Sequence, residues 1–393
     1  MHISKAAEAV GQIVLPAMKP ALLLGLSASA AALNVNRRDA LKGTTASVAQ
    51  IALPTASLAQ VALPNPALAA TESKLALPKM GIGAWAWGDS LFWGYDPKED
   101  EELEKVFSFV AARKDGFVDT AELYGIGRSE SLVGQFEKRH GRVTVASKFA
   151  ALPWRTSRDA VVKACEASLK RLGRDSMELY QIHFPNAWAN EAYWDGLGDC
   201  YDRGLVKAVG VSNYGSDAVR AVSKTLSARG IPLLSNQIQY SLAYPFANSN
   251  GLKQTCDDLG VKILAYSPLG LGLLSGKYSL ANPPKGPRKK LAESFFSQPA
   301  SAELLDAIAA VQKKHDASPT QVAINWCRAK GAVPIPGCRT VKQVTQNYAS
   351  LDWSCDASDM AALDAAAAKL APLVEKAGFP EKDINTGLKM FDS

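Results

Sequence analysis

No aromatic residue precedes Trp85, although the 393-residue chain carries 8 Trp, 11 Tyr and 12 Phe. Residues 1–70, rich in Ala, Leu, Ser and Pro with no ring to bury, do not suit a packed core. Acid is scarce there too: only Glu8 and Asp39 stand against Lys5, Lys19, Arg37, Arg38 and Lys42. Residues 43–71 carry no charge, but Pro54, Pro64 and Pro66 interrupt that run, which argues against a stable membrane-spanning helix. Cysteine is sparse: there are 6, none before Cys165 and none in a C-x-x-C pair. Neither a zinc site nor a dithiol redox motif is suggested, and scattered, reduced, mostly buried thiols remain. The 4 histidines (His2, His140, His183, His315) show no ligand spacing, so no metal is expected. A net charge of +6 is modest, and half of it lies in residues 1–70, so no basic domain for nucleic acid is visible. The remaining composition, 47% hydrophobic and 21% charged, is that of a globular protein.

The N-terminal segment reads as an address. It is acid-poor and Ala/Ser-rich, as organellar transit peptides are. Arg37-Arg38, a weakly apolar stretch and the small-residue end Ala67-Leu-Ala-Ala70 also resemble a twin-arginine signal. Two destinations follow: the plastid stroma, or the thylakoid lumen through a two-part presequence. Residues 1–70 are taken as the presequence and 71–393 as one catalytic domain with a C-terminal extension.

From about residue 79 the chain alternates short apolar runs with segments of helical period. The runs are 80–85, 116–120, 143–148, 178–182, 206–211, 233–238, 262–266 and 332–335. Between them, residues 158–172 place Val161, Val162, Cys165, Ser168, Leu169 and Leu172 on one helical face. Eight strands alternating with helices suggest an α/β fold closed into a single (β/α)8 TIM barrel. A doubly wound open sheet is the alternative that spacing alone leaves standing. Two connections are unusual. One is the long stretch from Ser267 to Lys290; the other is Pro334-Ile-Pro-Gly337-Cys-Arg339, which presents a helix N-terminus to a phosphate.

In a barrel, chemistry gathers at the C-terminal ends of different strands. Reading those ends in order gives Asp119, Tyr124 five residues later, Lys148 and His183. An unperturbed phenol, with a pKa of ~10, is a weak acid at neutral pH, and a nearby Lys148 ammonium is expected to lower it. Asp119 would hold the lysine, and His183 would orient a carbonyl oxygen. Taken singly each has a plainer reading, as a solvated charge or a packed ring. Gly81-Ile-Gly83-Ala-Trp-Ala86 is a weak dinucleotide fingerprint, and its continuation Trp87-Gly88-Asp89 does not open a helix. Better phosphate candidates are Ser275 and Lys277, then Gly337, Arg339 and Gln343, with Gln346 and Asn347 a turn further. Arg339 suits a 2′-phosphate by its guanidinium fork, against a surface salt bridge as the plainer reading. Tyr266 could stack on a nicotinamide, with Ser212, Asn213 and Gln237 on its carboxamide. Trp85, Trp87, Phe92, Trp93, Trp154 and Trp188 are candidates for an aromatic substrate pocket.

These residues, in this order, resemble the aldo-keto reductase superfamily. The resemblance rests on Asp119-Thr-Ala-Glu-Leu-Tyr124-Gly, Ala146-Ser-Lys148, Leu179-Tyr-Gln-Ile-His183, Val209-Gly-Val-Ser-Asn213, Asn236-Gln237, Tyr266-Ser-Pro-Leu269 and Ile335-Pro-Gly337, across residues 75–355. Within it the chain is most similar to plant plastid members, through Gly83-Ala-Trp-Ala-Trp-Gly88 and Ser147-Lys-Phe-Ala-Ala-Leu-Pro-Trp-Arg155. The resemblance implies a barrel that binds NADPH/NADP+ and reduces a small carbonyl substrate, pyridoxal first among the candidates. It implies Tyr124 as acid, with Lys148, Asp119 and His183 completing a tetrad. It adds Gly83, Ala84, Trp85, Asp119, Ser267, Pro268 and Leu269 to the cofactor contacts. Two positions depart from the family pattern: Cys338, where oxidant sensitivity is conceivable beside a phosphate, and Gln346, where Glu is common. An NADPH sensor resembling potassium channel β subunits is the alternative function.

Overall fold

The computed structural model describes residues 75–186 and 188–376. The presequence expected at residues 1–70 lies outside the described residues. Eight strands run parallel, in sequence order: β1 (Ile82–Gly83), β2 (Phe117–Asp119), β3 (Thr144–Phe149), β4 (Met177–Ile182), β5 (Val206–Ser212), β6 (Leu233–Gln239), β7 (Lys262–Tyr266) and β8 (Val333–Ile335). The Gly81 N–H donates to Pro334 O at 3.1 Å and the Gly83 N–H to Pro336 O at 3.0 Å. Those bonds bring β1 back to β8 and make the sheet a (β/α)8 barrel rather than an open one. Every expected apolar run holds one strand, although β1 is reduced to two residues.

The helices that cover the strands are α1 (Asp100–Ala111), α2 (Arg128–His140), α3 (Arg158–Leu172), α4 (Asn190–Asp202), α5 (Ser216–Ser227), α6 (Leu252–Asp258), α7 (Lys289–Phe296), α8 (Pro299–His315), α9 (Pro319–Ala329), α10 (Val341–Tyr348) and α11 (Ala357–Lys376). Helix α3 shows why such segments start and stop where they do. The Ser157 hydroxyl accepts from the Ala160 N–H, and Gly173 (φ 67°) ends the helix in the left-handed conformation that glycine adopts without strain. Its buried face is the one expected, with Val161, Cys165, Leu169 and Leu172 turned to the sheet. Among the described residues no helix is long and apolar enough to cross a membrane.

The barrel interior changes character along its axis. Near the strand starts Phe117, Ala146, Leu179, Leu264 and Val333 form an apolar plug, with Leu75 and Leu77 packed against it. Two residues further on, side chains point inward again. There Phe117 gives way to Asp119, Ala146 to Lys148 and Leu179 to Gln181, all buried. The dry plug seals one end, and the polar layer opens towards the loops at the other.

Candidate active site

Lys148 projects from the end of β3 into that polar layer. Its Nζ donates to Asp119 Oδ1 at 2.5 Å, to Thr120 O at 2.8 Å and to Tyr124 Oη at 3.2 Å. Asp119 Oδ2 accepts from Gln237 Nε2 at 2.8 Å and Gln181 Nε2 at 3.4 Å. Tyr124 stands edge-on to His183, with ring centroids 5.8 Å apart. Four side chains from the ends of three strands thus share one point, and Tyr124 is the outermost of the Lys148 contacts. A close approach places it: Gly125 (φ 56°) lies against Gly88, where any Cβ would strike the Gly88 carbonyl.

The electrostatics overturn one expectation. Burial, with a further push from Asp119, holds the Tyr124 phenol well above its ordinary value rather than below it. Burial likewise lowers Lys148 more than Asp119 raises it, and raises Asp119 more than Lys148 lowers it. At neutral pH Tyr124 therefore keeps its proton. Burial and then the Lys148 charge push His183 well below its usual value, which makes it a neutral imidazole. Its Nδ1 is buried without a hydrogen-bond partner.

Of the expected cofactor residues, Ser212, Asn213, Gln237 and Tyr266 are joined to one another and to His183. Ser212 Oγ donates to Gln237 O at 2.8 Å, Asn213 Nδ2 to His183 O at 3.1 Å, and Tyr266 Oη to Asn213 Oδ1 at 2.9 Å. Asn213 (φ 62°) and Ser267 (φ 49°) both take left-handed backbone at strand ends, a strain that gathers at functional sites. Gly83 lies beside β8, where an added Cβ would sit 3.0 Å from Ile335 O. Ala84 is buried, its N–H on Asp119 O at 2.8 Å. Pro268 is buried and Leu269 half-buried, while Ser275 caps its own loop at Gly272 O (2.6 Å) and Lys277 is exposed. Gly337 and Gln343 are exposed and Gln346 is half-exposed. These residues fit a dinucleotide in kind: strand-end amides and hydroxyls, a half-buried ring, and an arginine ahead of α10.

Several readings are corrected. Trp87 lines no pocket: its turn, N–H on Ala84 O at 3.0 Å, sends the ring beneath the mouth, fully buried, with Nε1 on Cys338 O at 2.8 Å. Trp154, 60% exposed, stands apart from the aromatic wall, which Trp85, Phe92, Trp93 and Tyr124 build. Trp188 is also exposed. Cys338 is buried beneath Asn347 Nδ2 (3.0 Å), and burial pushes its thiol up to about 12, the reverse of a sensitised thiolate. Asn347 is therefore buried and committed to that sulfur.

Sequence reasoning missed Gln181, Glu99 and Glu102. Gln181 was legible, since it shares the inward parity of Leu179 on β4 and of His183 just after it. The two glutamates reach their partners near α10 from a distant part of the chain, and no local signal marks them.

The family model described as Aldo/keto reductase family matches residues 79–368. The chain belongs to the aldo/keto reductase family. Membership places it among the NADP-dependent oxidoreductases of carbonyl groups. It is 41% identical over 312 residues to a chloroplastic pyridoxal reductase of Arabidopsis thaliana, covering 75% of this chain and 84% of that one. A thermostable aldo-keto reductase solved with the inhibitor epalrestat matches at TM-score 0.60 and 27% identity, over 74% of this chain and 95% of the other. An aldo/keto reductase from Klebsiella pneumoniae solved with NADP and acetate matches the fold at TM-score 0.60 and 24% identity, over 74% and 91%.

Proposed function

We propose that this chain reduces an aldehyde or ketone to the alcohol with Tyr124 as proton donor, and that pyridoxal is its first candidate substrate. One observation carries the assignment of roles: a single buried ammonium touches Asp119, Thr120 O and the Tyr124 hydroxyl together. NADPH, when bound, supplies the hydride that adds to the carbonyl carbon. Tyr124 Oη gives its proton to the carbonyl oxygen, and Lys148 stabilises the phenolate left behind until solvent reprotonates it. Asp119, held by Gln237 and Gln181, keeps the lysine in place. Neutral His183 offers its imidazole to orient the carbonyl oxygen. Ser212, Asn213, Gln237, Tyr266 and Ser267 would hold the nicotinamide end, and Arg339 with the start of α10 the adenosine phosphate. The wall of Trp85, Phe92 and Trp93 suits a flat substrate.

Tyr124→Phe tests the assignment. NADPH binding should persist while turnover on 4-nitrobenzaldehyde and pyridoxal falls by roughly 10²–10⁴-fold. Near-full turnover in that variant would sink it. Tight NADPH binding by the wild-type protein, without turnover on any carbonyl, would instead support the sensor alternative. The acid-poor leader and the chloroplastic relative support delivery to plastids, which a fluorescent fusion of the full chain would show by its location.

A further inference from the structure

Arg339 is already gripped by the chain itself. Its Nε donates to Glu99 Oε2 at 2.9 Å, its Nη2 to Glu99 Oε1, and its Nη1 to Trp93 O at 2.8 Å. The backbone donors beside it are also taken: the Arg339 N–H by Gln343 Oε1 at 2.7 Å, and the Val341 N–H, first in α10, by Glu102 Oε1 at 2.9 Å. Glu99 directly precedes α1 and Glu102 is its third residue, one helical turn away. Two carboxylates from the entry to α1 therefore occupy donors that an adenosine 2′-phosphate would use. A fork-to-fork arginine–carboxylate pair is the geometry that also recognises phosphate. Both side chains are only 29% exposed, so the pair is less screened than a fully solvated one.

We propose that Glu99 is a built-in competitor for Arg339 and sets how strongly this chain prefers NADPH over NADH. The inference rests on the reading of Arg339 as the 2′-phosphate ligand. A 2′-phosphate must displace Glu99 or share one guanidinium with a like charge at close range. NADH carries no such phosphate and leaves the pair intact. Glu99 thus opposes one cofactor and is indifferent to the other. Because Arg339 also holds Trp93 O, displacement is felt in the loop that carries the aromatic wall.

The test measures dissociation constants of NADPH and NADH by isothermal titration for the wild-type protein, Glu99→Gln, Arg339→Met and the double variant. Thermal unfolding of each confirms that it is folded. Glu99→Gln should bind NADPH on the order of fivefold more tightly, with NADH moved by less than roughly twofold. In the Arg339→Met background the same change should leave NADPH affinity unaltered. Unchanged or weaker NADPH binding in Glu99→Gln overturns the inference. So does equal tightening of both cofactors, or a gain that survives loss of Arg339. Wild-type protein that binds neither cofactor would overturn the function itself, whereas normal binding insensitive to Glu99 overturns the competitor alone.

Discussion

Strand β3 has a buried ion cluster at each end, and the two behave in opposite ways. At its start, Arg174 donates to Glu137 Oε2 at 2.7 Å and, through Nη2, to Glu137 Oε1; to Glu178 Oε2 at 2.6 Å; and to Val143 O at 2.7 Å. The carboxylates are filled in turn by the Val143 and Val145 N–H groups and by Lys207. Burial works against the charge of Arg174 and of Glu178, yet their partners win: the guanidinium is raised and the Glu178 carboxyl lowered. At the other end of the strand burial wins, and Lys148 and Asp119 are both pushed towards neutrality. A buried charge is therefore no mark of a site by itself. A cluster whose donors and acceptors are all filled joins α2, β3, β4 and β5 as a structural rivet. A cluster in which burial outweighs the partners, with a phenol at its open side, can still exchange a proton.

The sharpest test of this contrast is Lys148→Met. Carbonyl reduction should fall by about 10²–10⁴-fold in kcat, as for loss of acid–base assistance. More than a tenth of wild-type turnover remaining would put this cluster in the structural class. Arg174→Met should do the reverse. Leaving buried Glu137 without a counter-charge should cost about 3–5 kcal/mol in denaturant unfolding, with kcat of the folded fraction close to wild type. A loss of kcat at full stability would erase the distinction between the two ends.

The smallest expected effect is on pH dependence. His183 is neutral in the folded protein, so reduction should stay level between about pH 6 and 8, with no acid limb near the ordinary histidine value. Its folded value lies below its unfolded one, so the unfolded chain binds the extra proton first as the pH falls. The stability it contributes is whole above ~6.5 and is lost as pH drops towards the depressed value. A kcat that drops near the ordinary histidine value would mean that His183 is charged at the mouth.

Much of this was legible beforehand because it is local. Each of the eight strands overlapped one of the apolar runs read from the chain, exceeding it by no more than one residue at an end, and inward parity put Asp119 and Lys148 on the barrel's inner face. The aromatic readings divided on geometry that no short window contains. Trp85 and Trp87 are two residues apart, yet one faces the mouth while the other turns under it. Cys338 sat near a helix start on paper, where a thiol can be activated, but the fold buries it beneath Asn347.

The sequence by itself determined the number and order of the strands, the side on which their polar residues emerge and the family to which they belong. Period, parity and motif order are properties of the chain read along its length. Only the tertiary structure decided that Tyr124 keeps its proton, that His183 is uncharged, and that Glu99, 240 residues before Arg339, holds the guanidinium a phosphate would seek. Those outcomes depend on desolvation and on charges brought within a few ångströms by closure of the barrel, and no local stretch of sequence encodes such distances.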